Sequence, residues 1–232
     1  MDQSDKNRLL DAALNHVMFD GWGDAAFAAA VAETEIDLAL AKSLFPRKGT
    51  DMAVAFHQRG DADMKQRMAA ENLSTMRYRD RVAACVRARL EVVSDHKEAV
   101  RRGSTLFALP QHSVQGAKLL WGTADAIWVA LGDSSNDYNW YTKRATLSGV
   151  YGATVLYWLG DTSDGHDATW DFLDRRIDNV MQFEKVKAQV NDNPIASKFL
   201  AGPNWFLSQI KPPTKFTASD MPGSTAQTRD AQ

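Results

Sequence analysis

Acidic, aromatic and basic side chains crowd together in residues 133–144, which read Asp-Ser-Ser-Asn-Asp-Tyr-Asn-Trp-Tyr-Thr-Lys-Arg. A helix can begin here, because Ser135, Asn136 or Asp137 can cap the first turn with a side-chain oxygen. The aromatic residues of the run are Tyr138, Trp140 and Tyr141. Capping does not account for them, since rings with a polar edge suit surfaces that are partly dry and partly wet. Two interpretations stay open: a capped helix with its rings turned inward, or a surface that recognises a partner.

No arrangement of histidine, cysteine or carboxylate in the sequence indicates catalysis or metal binding. A di-iron centre in a helical bundle needs Glu with His three residues later, and no Glu or Asp has a His at that spacing. Phosphate-binding glycine loops, nucleophile elbows and dinucleotide motifs are also missing from the sequence. Cys85 shares the apolar register of Val82, Val86 and Leu90, which predicts a buried, inert thiol. We therefore expect no catalytic residue, metal or cofactor, and a protein that is not an enzyme.

Composition narrows the class of protein. The chain has 232 residues, 44% of them hydrophobic, and a net charge of -2, so it can bury a full core but has no general affinity for nucleic acid. Residues 1–8 are polar and unlike a secretion signal, and no run reaches the roughly 18 apolar residues of a membrane span. We expect a bacterial cytoplasmic protein or an already trimmed organelle protein.

Helical periodicity dominates the segments that would position these side chains. Apolar residues recur at a period near 3.6, Gly and Pro mark the joints, and alternating strand patterns are nearly absent. Helices are predicted over 5–20, 24–32, 37–45, from about 50 onward, 79–100, 113–131, 139–159 and 167–190. This pattern predicts an all-α bundle, with a helix-turn-helix-like unit over 1–50 and a larger bundle over 51–192.

Residues 5–57 contain a set of glycine, apolar and basic residues at characteristic positions: Gly21, Phe27, Val31, Ala32, Ile36, Leu44, Phe45, Pro46, Arg47 and Lys48. Through these residues the segment resembles the N-terminal domain of the TetR family of transcription regulators. The resemblance implies a TetR-like bundle of nine to ten helices. DNA binding needs cations that meet phosphates, but residues 20–51 contain six acids and three bases. We therefore expect a TetR-like fold without a nucleic-acid partner, and a TetR-type regulator with an apolar effector stays as the alternative function.

Tryptophan is concentrated in the larger bundle, where five of the seven Trp lie between Trp121 and Trp170. These rings alternate with glycine and alanine. Tight helix packing is the default interpretation of such a pattern, and an elongated apolar cavity is the alternative. Apolar register gives the residues that would line such a cavity as Leu120, Trp121, Ala124, Trp128, Val150, Ala153 and Leu156.

The segment 193–211 is amphipathic, although Gly202 and Pro203 interrupt it. Its apolar residues are Ile195, Phe199, Leu200, Trp205, Phe206, Leu207 and Ile210. Residues 185–215 contain five Lys and one Asp, and an apolar face with lysines at its edge suits an anionic membrane surface. The same face could instead pack on the protein or on a second subunit. Residues 212–232 are rich in Pro, Thr, Ser and Gln, which predicts a disordered tail.

Several short segments and two single residues form an unusual pattern along the chain: 109–110, Trp128, 132–133, 137–144, 150–151, Asp161 and 169–177. Through this pattern the whole chain resembles the coenzyme Q (ubiquinone) biosynthesis accessory family called coenzyme Q protein nine. Membership implies a homodimer that is not an enzyme, has a TetR-like fold and binds an isoprenoid or quinone lipid in a long apolar pocket. It also implies a membrane-touching C-terminal helix, on the inner membrane of a bacterium or the matrix side of a mitochondrion.

The resemblance further implies a docking patch for the di-iron demethoxyubiquinone hydroxylase, to which the protein would present the quinone intermediate. By position, the patch would use Asp125, Ile127, Asp137, Trp140, Tyr141 and Arg144. Aromatic rings supply rigid apolar contact area, while acids and arginine fix orientation. A third possibility, a purely structural partner with a filled core, is also open.

Overall fold

The computed structural model describes residues 2–135 and 138–192. In this part of the chain the helices are α1 Asp2–Asp20, α2 Asp24–Thr34, α3 Leu38–Leu44, α4 Gly49–Ala70, α5 Tyr78–Glu91, α6 Lys97–Ala108, α7 Ser113–Ala130, α8 Tyr138–Gly160 and α9 Asp167–Asp192. Short 3₁₀ turns lie at Leu73–Thr75, Ser94–His96 and Asp164–His166. The described residues contain no strand, and the all-α prediction is confirmed.

Helices α1, α2 and α3 form the predicted helix-turn-helix-like unit. Helix α1 ends where expected, because Gly21 takes a φ of 68° and reverses the chain. Asp37 begins α3, since its carboxylate accepts hydrogen bonds from the backbone N–H groups of Ala39 at 2.9 Å and Leu40 at 3.0 Å. Local capping chemistry therefore sets the limits of these short helices.

One predicted helix, over 79–100, is two helices in the structure. Helix α5 ends at Glu91, the turn Ser94–His96 follows, and α6 begins at Lys97. The apolar period continues as far as the buried Val93, which is why the sequence pattern gave no sign of the break. The polar residues that follow Val93 form the turn, which lets α6 change direction and form a wall of the bundle.

Trp22 joins the three-helix unit to the larger bundle. Its Nε1–H donates to the carbonyl oxygen of Ala99 at 2.9 Å, and its ring packs against Phe56 with the centroids 5.5 Å apart. The indole is buried in a continuous core that extends from Leu9 to Ile177. The first unit is therefore fixed against α4 and α6.

At Gly60, helix α4 packs against the guanidinium of Arg89 from α5. A Cβ atom added there would lie 2.6 Å from Nη1 of Arg89, too close for a real side chain. Arg89 is itself buried, so the guanidinium fills the space that a side chain at position 60 would need. This approach places a buried charged group inside the bundle.

Candidate functional site

A cavity of about 530 Å³ lies among α4, α5, α6, α7 and α8. This volume falls in the range of pockets that hold one drug-sized ligand. Small residues on its walls leave the space open, and they include Ala53, Ala99, Gly103, Gly116, Gly149 and Gly152. Some of the small residues that alternate with large rings in the sequence thus line a cavity, whereas others lie in tightly packed helix contacts. Two predicted pocket residues, Leu120 and Leu156, line it.

One end of the cavity opens to solvent beside the joint between α6 and α7. The exposed lining residues at this mouth are Ala108, Ser113, Ala117, Gly149 and Leu156. Nothing lies within 4 Å of a Cβ added at Gly149, so this position borders open space. An apolar chain could pass through the mouth without meeting a charged group among these residues.

The buried end of the cavity is polar. His57, Arg89 and Tyr151 line it. Arg89 donates from Nε to Oδ1 of Asp61 at 2.7 Å and from Nη2 to the carbonyl oxygen of His57 at 2.9 Å. The Thr123 hydroxyl donates to Oδ1 of Asp61 at 2.8 Å and lies 2.8 Å from Nε2 of His57. These five residues, hereafter the buried polar cluster, tie α4, α5, α7 and α8 together.

The buried polar cluster is electrically neutral near pH 7. Burial, helped by the positive charge of Arg89, lowers the pKa of His57 to about 4 despite the opposing charge of Asp61, so the imidazole is uncharged. Burial also raises the pKa of Tyr151, which keeps the phenol protonated. The guanidinium of Arg89 and the carboxylate of Asp61 cancel each other.

A second cavity, of about 200 Å³, lies among α5, α7, α8 and α9. Trp128 and Val150, predicted for the lipid pocket, line this cavity instead of the larger one. Trp121, Ala124 and Ala153, also predicted for the lipid pocket, line neither of these two cavities. Ala124 is fully buried in the core, and Trp121 packs with other aromatic rings.

Trp121, Trp140 and Tyr141 form a half-buried aromatic patch where α7 meets the start of α8. The ring centroids lie 5.9 Å apart for Trp121 and Trp140, 6.3 Å for Trp121 and Tyr141, and 4.8 Å for Trp140 and Tyr141. These separations are typical of packed aromatic pairs. Each ring keeps part of its surface exposed, so the cluster combines inward packing with an accessible face.

Arg144 packs against the buried side of the aromatic patch. Its guanidinium carbon lies 4.0 Å from the centroid of the Trp140 ring. Its Nε donates to Asp125 at 2.6 Å, and its Nη1 donates to Asp133 at 3.1 Å. Lys143 also donates to Asp133, at 2.7 Å. This ion-pair network fixes the side chain on which Trp140 rests.

Two residues predicted for the docking patch are not on the surface. Ile127 is 0% exposed and belongs to the core, and Arg144 is 2% exposed beneath Trp140. Neither side chain can touch a partner directly, so the prediction was wrong on this point. Asp125 has a side chain 42% exposed and, with Trp140 and Tyr141, stays available for contact.

Other predictions lie outside the described residues. They concern Asp137 of the patch, the membrane-contacting residues Ile195, Phe199, Leu200, Trp205, Phe206, Leu207 and Ile210, and the tail 212–232. Over residues 2–135 and 138–192, no helix combines the length and apolar character needed to span a bilayer. In the same residues no three His, Cys, Asp or Glu side chains are grouped so as to hold a metal ion.

The two cations in the turn between α3 and α4 are each paired with an acid. Lys48 is ion-paired with Asp24. Arg47 is ion-paired with Asp51 through Nη2 at 2.6 Å. Leu38 and Leu40 are exposed on α3 itself, where a DNA reader would present polar groups to base edges. The ion pairs and the exposed leucines, like the excess of acids in the sequence, are unfavourable for DNA binding by this segment.

The sequence interpretation missed His57, Asp61 and Arg89. A signal for Arg89 was present, because it follows Cys85 and Val86 at helical spacing and so falls on the buried face of α5. His57 and Asp61 are four residues apart and share one face of α4. A charge on one buried face and a His-Asp pair on the next helix could have indicated an internal polar cluster.

Comparison with known proteins shows clear relatives. The COQ9 family model matches residues 113–184. The mitochondrial ubiquinone biosynthesis protein COQ9 of Rattus norvegicus is 32% identical over 195 residues, which cover 80% of this chain and 61% of the rat protein. The Drosophila melanogaster protein of the same name is 31% identical, with coverage of 78% of this chain and 57% of the fly protein. The chain thus spans about 60% of the length of these relatives.

A solved structure supports the fold. A TetR transcriptional regulator from Nitrosomonas europaea ATCC 19718 superimposes with a TM-score of 0.62, covering 74% of this chain and 95% of the regulator. The two sequences are 16% identical. The likeness therefore shows the TetR-like fold alone, and the predicted fold class is confirmed.

Proposed function

The chain is a relative of the COQ9 ubiquinone biosynthesis proteins, and from this premise we propose that it is a non-enzymatic, lipid-binding accessory protein of ubiquinone biosynthesis. Its ligand is an isoprenoid or quinone lipid, which it presents to the demethoxyubiquinone hydroxylase. The observation that carries the proposal is the apolar cavity of about 530 Å³, open at one end and walled by five helices.

The cavity suits part of a prenylated lipid. Its volume is that of a pocket for one drug-sized molecule, so a ring with a few isoprene units fills it and a longer tail extends through the mouth. The open end is lined by small and apolar residues such as Ala117 and Leu156. Burial of hydrocarbon there gains about 25 cal/mol for each Å² removed from water.

The aromatic patch is the proposed contact for the hydroxylase. Trp140 and Tyr141 are half-buried, as are many side chains that anchor protein interfaces, and Asp125 adds an accessible charge beside them. Arg144 acts as a positioning residue, because it touches the Trp140 ring and is itself buried. The patch and the cavity meet along α7 and α8, which contribute residues to both.

Two further contacts complete the proposal. The apolar side chains of residues 193–211 are the proposed contact with the membrane surface. A homodimer forms through α8 and α9, where Tyr157 and Met181 are exposed. Tyr157 also stacks on Phe172 of α9 at a centroid distance of 4.5 Å, which gives this face a rigid aromatic element.

Narrowing the mouth tests the proposed lipid site. Gly149→Leu places a side chain in open space at the cavity wall, and Gly122→Leu places one in equally open space on α7 away from both cavities. Both changes favour the helix by up to about 1 kcal/mol, so neither should unfold the protein. Titration with decylubiquinone, followed by quenching of tryptophan fluorescence, should show about a tenfold loss of affinity for Gly149→Leu alone. Equal affinity of both variants and the wild type would remove the cavity from the proposal.

The regulator alternative predicts a different result. A DNA reader binds duplex DNA with an affinity that falls steeply as salt is raised. The proposed accessory protein should show no such binding at physiological ionic strength, because the cations Arg47 and Lys48 are already paired with acids. A mobility-shift assay over a range of salt concentrations separates the two functions.

A further inference from the structure

The polar side chains that line the large cavity are buried. Arg89 and Tyr151 are 2% and 3% exposed, whereas Gly149 and Leu156 are open to solvent. The cavity therefore has buried polar atoms in a mostly hydrocarbon wall. A ligand that has one polar end and one apolar end is favoured with its polar end against these atoms.

Arg89 keeps donor capacity beyond its internal hydrogen bonds. Its Nε and Nη2 are engaged by Asp61 and by the carbonyl oxygen of His57. Its Nη1 makes no hydrogen bond to any described residue, although a guanidinium is planar and carries five N–H donors. Hydrocarbon seated against this end would leave polar groups of the cavity wall without partners, which is unfavourable in a buried site.

The charge of the buried polar cluster selects against an anion. The Arg89 charge is already balanced by Asp61 at 2.7 Å, and both His57 and Tyr151 are uncharged near pH 7. An added carboxylate or phosphate would be a net buried charge, which costs far more than a neutral carbonyl or hydroxyl oxygen. The chemistry of this end therefore suits a neutral group that accepts hydrogen bonds.

We propose that the buried polar cluster is a head-group site, in which Arg89 donates a hydrogen bond to an oxygen atom of a neutral quinone or quinol ring while the isoprenoid tail leaves through the mouth beside Gly149. This inference rests on the proposed function, because it assumes that the cavity binds lipid. It adds the orientation and the class of head group: the ring is held away from solvent, and transfer to a partner requires the ring to withdraw along the cavity.

Three matched ligands test the orientation. They share one geranyl tail and differ at the head: 2-geranyl-1,4-benzoquinone has two carbonyl oxygens, geranylbenzene has none, and geranic acid has a carboxylate. Calorimetric titration of the wild-type full chain should show the quinone binding about tenfold more tightly than geranylbenzene, with geranic acid no tighter than the quinone. Equal affinity for the quinone and geranylbenzene, or tightest binding of geranic acid, would overturn the head-group site and leave the lipid cavity standing.

Variants locate the effect at the buried end. Arg89→Lys keeps the charge beside Asp61, so it leaves no unpaired buried charge. It should lower the affinity for the quinone about tenfold without changing the affinity for geranylbenzene, whereas Gly149→Leu should weaken both. Failure of the wild type to bind any of the three ligands would overturn the proposed function together with this inference. Circular dichroism identifies a variant that does not fold, and the comparison of ligands on the wild type then decides alone.

Discussion

The carboxylate of Asp133 and the guanidinium of Arg144 form an ion pair in which the side chains are 3% and 2% exposed and Oδ2 lies 3.1 Å from Nη1. Burial alone would raise the pKa of Asp133, but hydrogen bonds from Lys143, Ser135 and Arg144 outweigh it and lower the pKa to about 2. Arg144 also packs against the Trp140 ring. The ion pair therefore holds in place the side chain on which this ring of the aromatic patch rests. Arg144 thus links a buried ion pair to the position of the Trp140 ring, the side chain proposed as a partner contact.

Removal of the Arg144 charge should destabilise the protein strongly. Arg144→Met removes the buried cation that pairs with both Asp133 and Asp125, although Lys143 still pairs with Asp133, and breaking a buried ion pair in this way costs up to about 3–5 kcal/mol. The matched control is Arg77→Met, which breaks an exposed pair with Asp80 and should cost less than about 1 kcal/mol. Urea unfolding monitored by circular dichroism measures both, and similar losses for the two variants would contradict this account of Arg144.

Truncation of Trp140 should abolish capture of the hydroxylase without unfolding the protein. Trp140→Ala removes the half-buried ring that lies over Arg144 and beside Tyr141, and central aromatic residues of an interface typically contribute 2 kcal/mol or more, roughly thirtyfold in affinity. The test is a pull-down with purified demethoxyubiquinone hydroxylase, after thermal unfolding has shown that the variant is folded.

The control for this pull-down is Phe19→Ala. Phe19 is 77% exposed near the end of α1, so its removal deletes an apolar ring of the protein surface that is not part of the aromatic patch. Capture should be unchanged in this variant. If Phe19→Ala and Trp140→Ala reduce capture alike, the interaction depends on general surface hydrophobicity instead of on the patch.

Helix positions followed from the sequence because they depend on local rules. The predictions for the starts and ends of α7, α8 and α9 fall within three residues of the structure, since glycine and polar joints mark them. The division between α5 and α6 was missed because the apolar period does not report a change in direction. Cys85 was correctly predicted as buried, because its register alone places it on the inner face of α5.

The site was harder to predict, because cavities depend on how helices pack across long separations in sequence. Leu120 and Leu156 were found from apolar register, but the same register also contains Ala124, which is packed solid in the core. Arg144 was assigned to the docking patch by position, from the family resemblance, which does not report how deeply a side chain is buried. Its burial follows from two acids, Asp125 and Asp133, that the fold brings together from the α7 helix and the loop after it.

A methyl group added at position 60 should lower the free energy of unfolding, whereas one added at position 122 should not. Gly60→Ala places a Cβ 2.6 Å from Nη1 of Arg89, a buried group held by Asp61, so the helices must shift or the ion pair must distort. Overpacking of this kind typically costs about 1–3 kcal/mol. Gly122→Ala meets nothing within 4 Å and should stabilise α7 by up to about 1 kcal/mol. Opposite signs in urea unfolding confirm the close approach, and a stabilised Gly60→Ala variant would refute it.

The stability of the protein should fall as the pH is lowered from 6.5 towards 4, in part because of His57. Burial, with the positive charge of Arg89, lowers the pKa of this histidine to about 4 in the folded chain, although Asp61 and the backbone at Leu119 oppose the shift. In the unfolded chain the pKa returns to about 6.5. Between these values the unfolded state binds a proton that the folded state does not, so acid favours unfolding.

His57→Gln isolates this contribution. Glutamine can still bond to Thr123 but does not titrate, so the contribution of His57, about 2 kcal/mol between pH 7 and pH 5, should be missing from the variant. Urea unfolding of both proteins at pH 7, 6 and 5 gives the two slopes of free energy against pH. The wild type should lose more stability than the variant over this interval, because only its unfolded chain gains the imidazole proton. Parallel slopes would mean that His57 is protonated as readily in the fold as in the unfolded chain, and the buried polar cluster would then not be neutral.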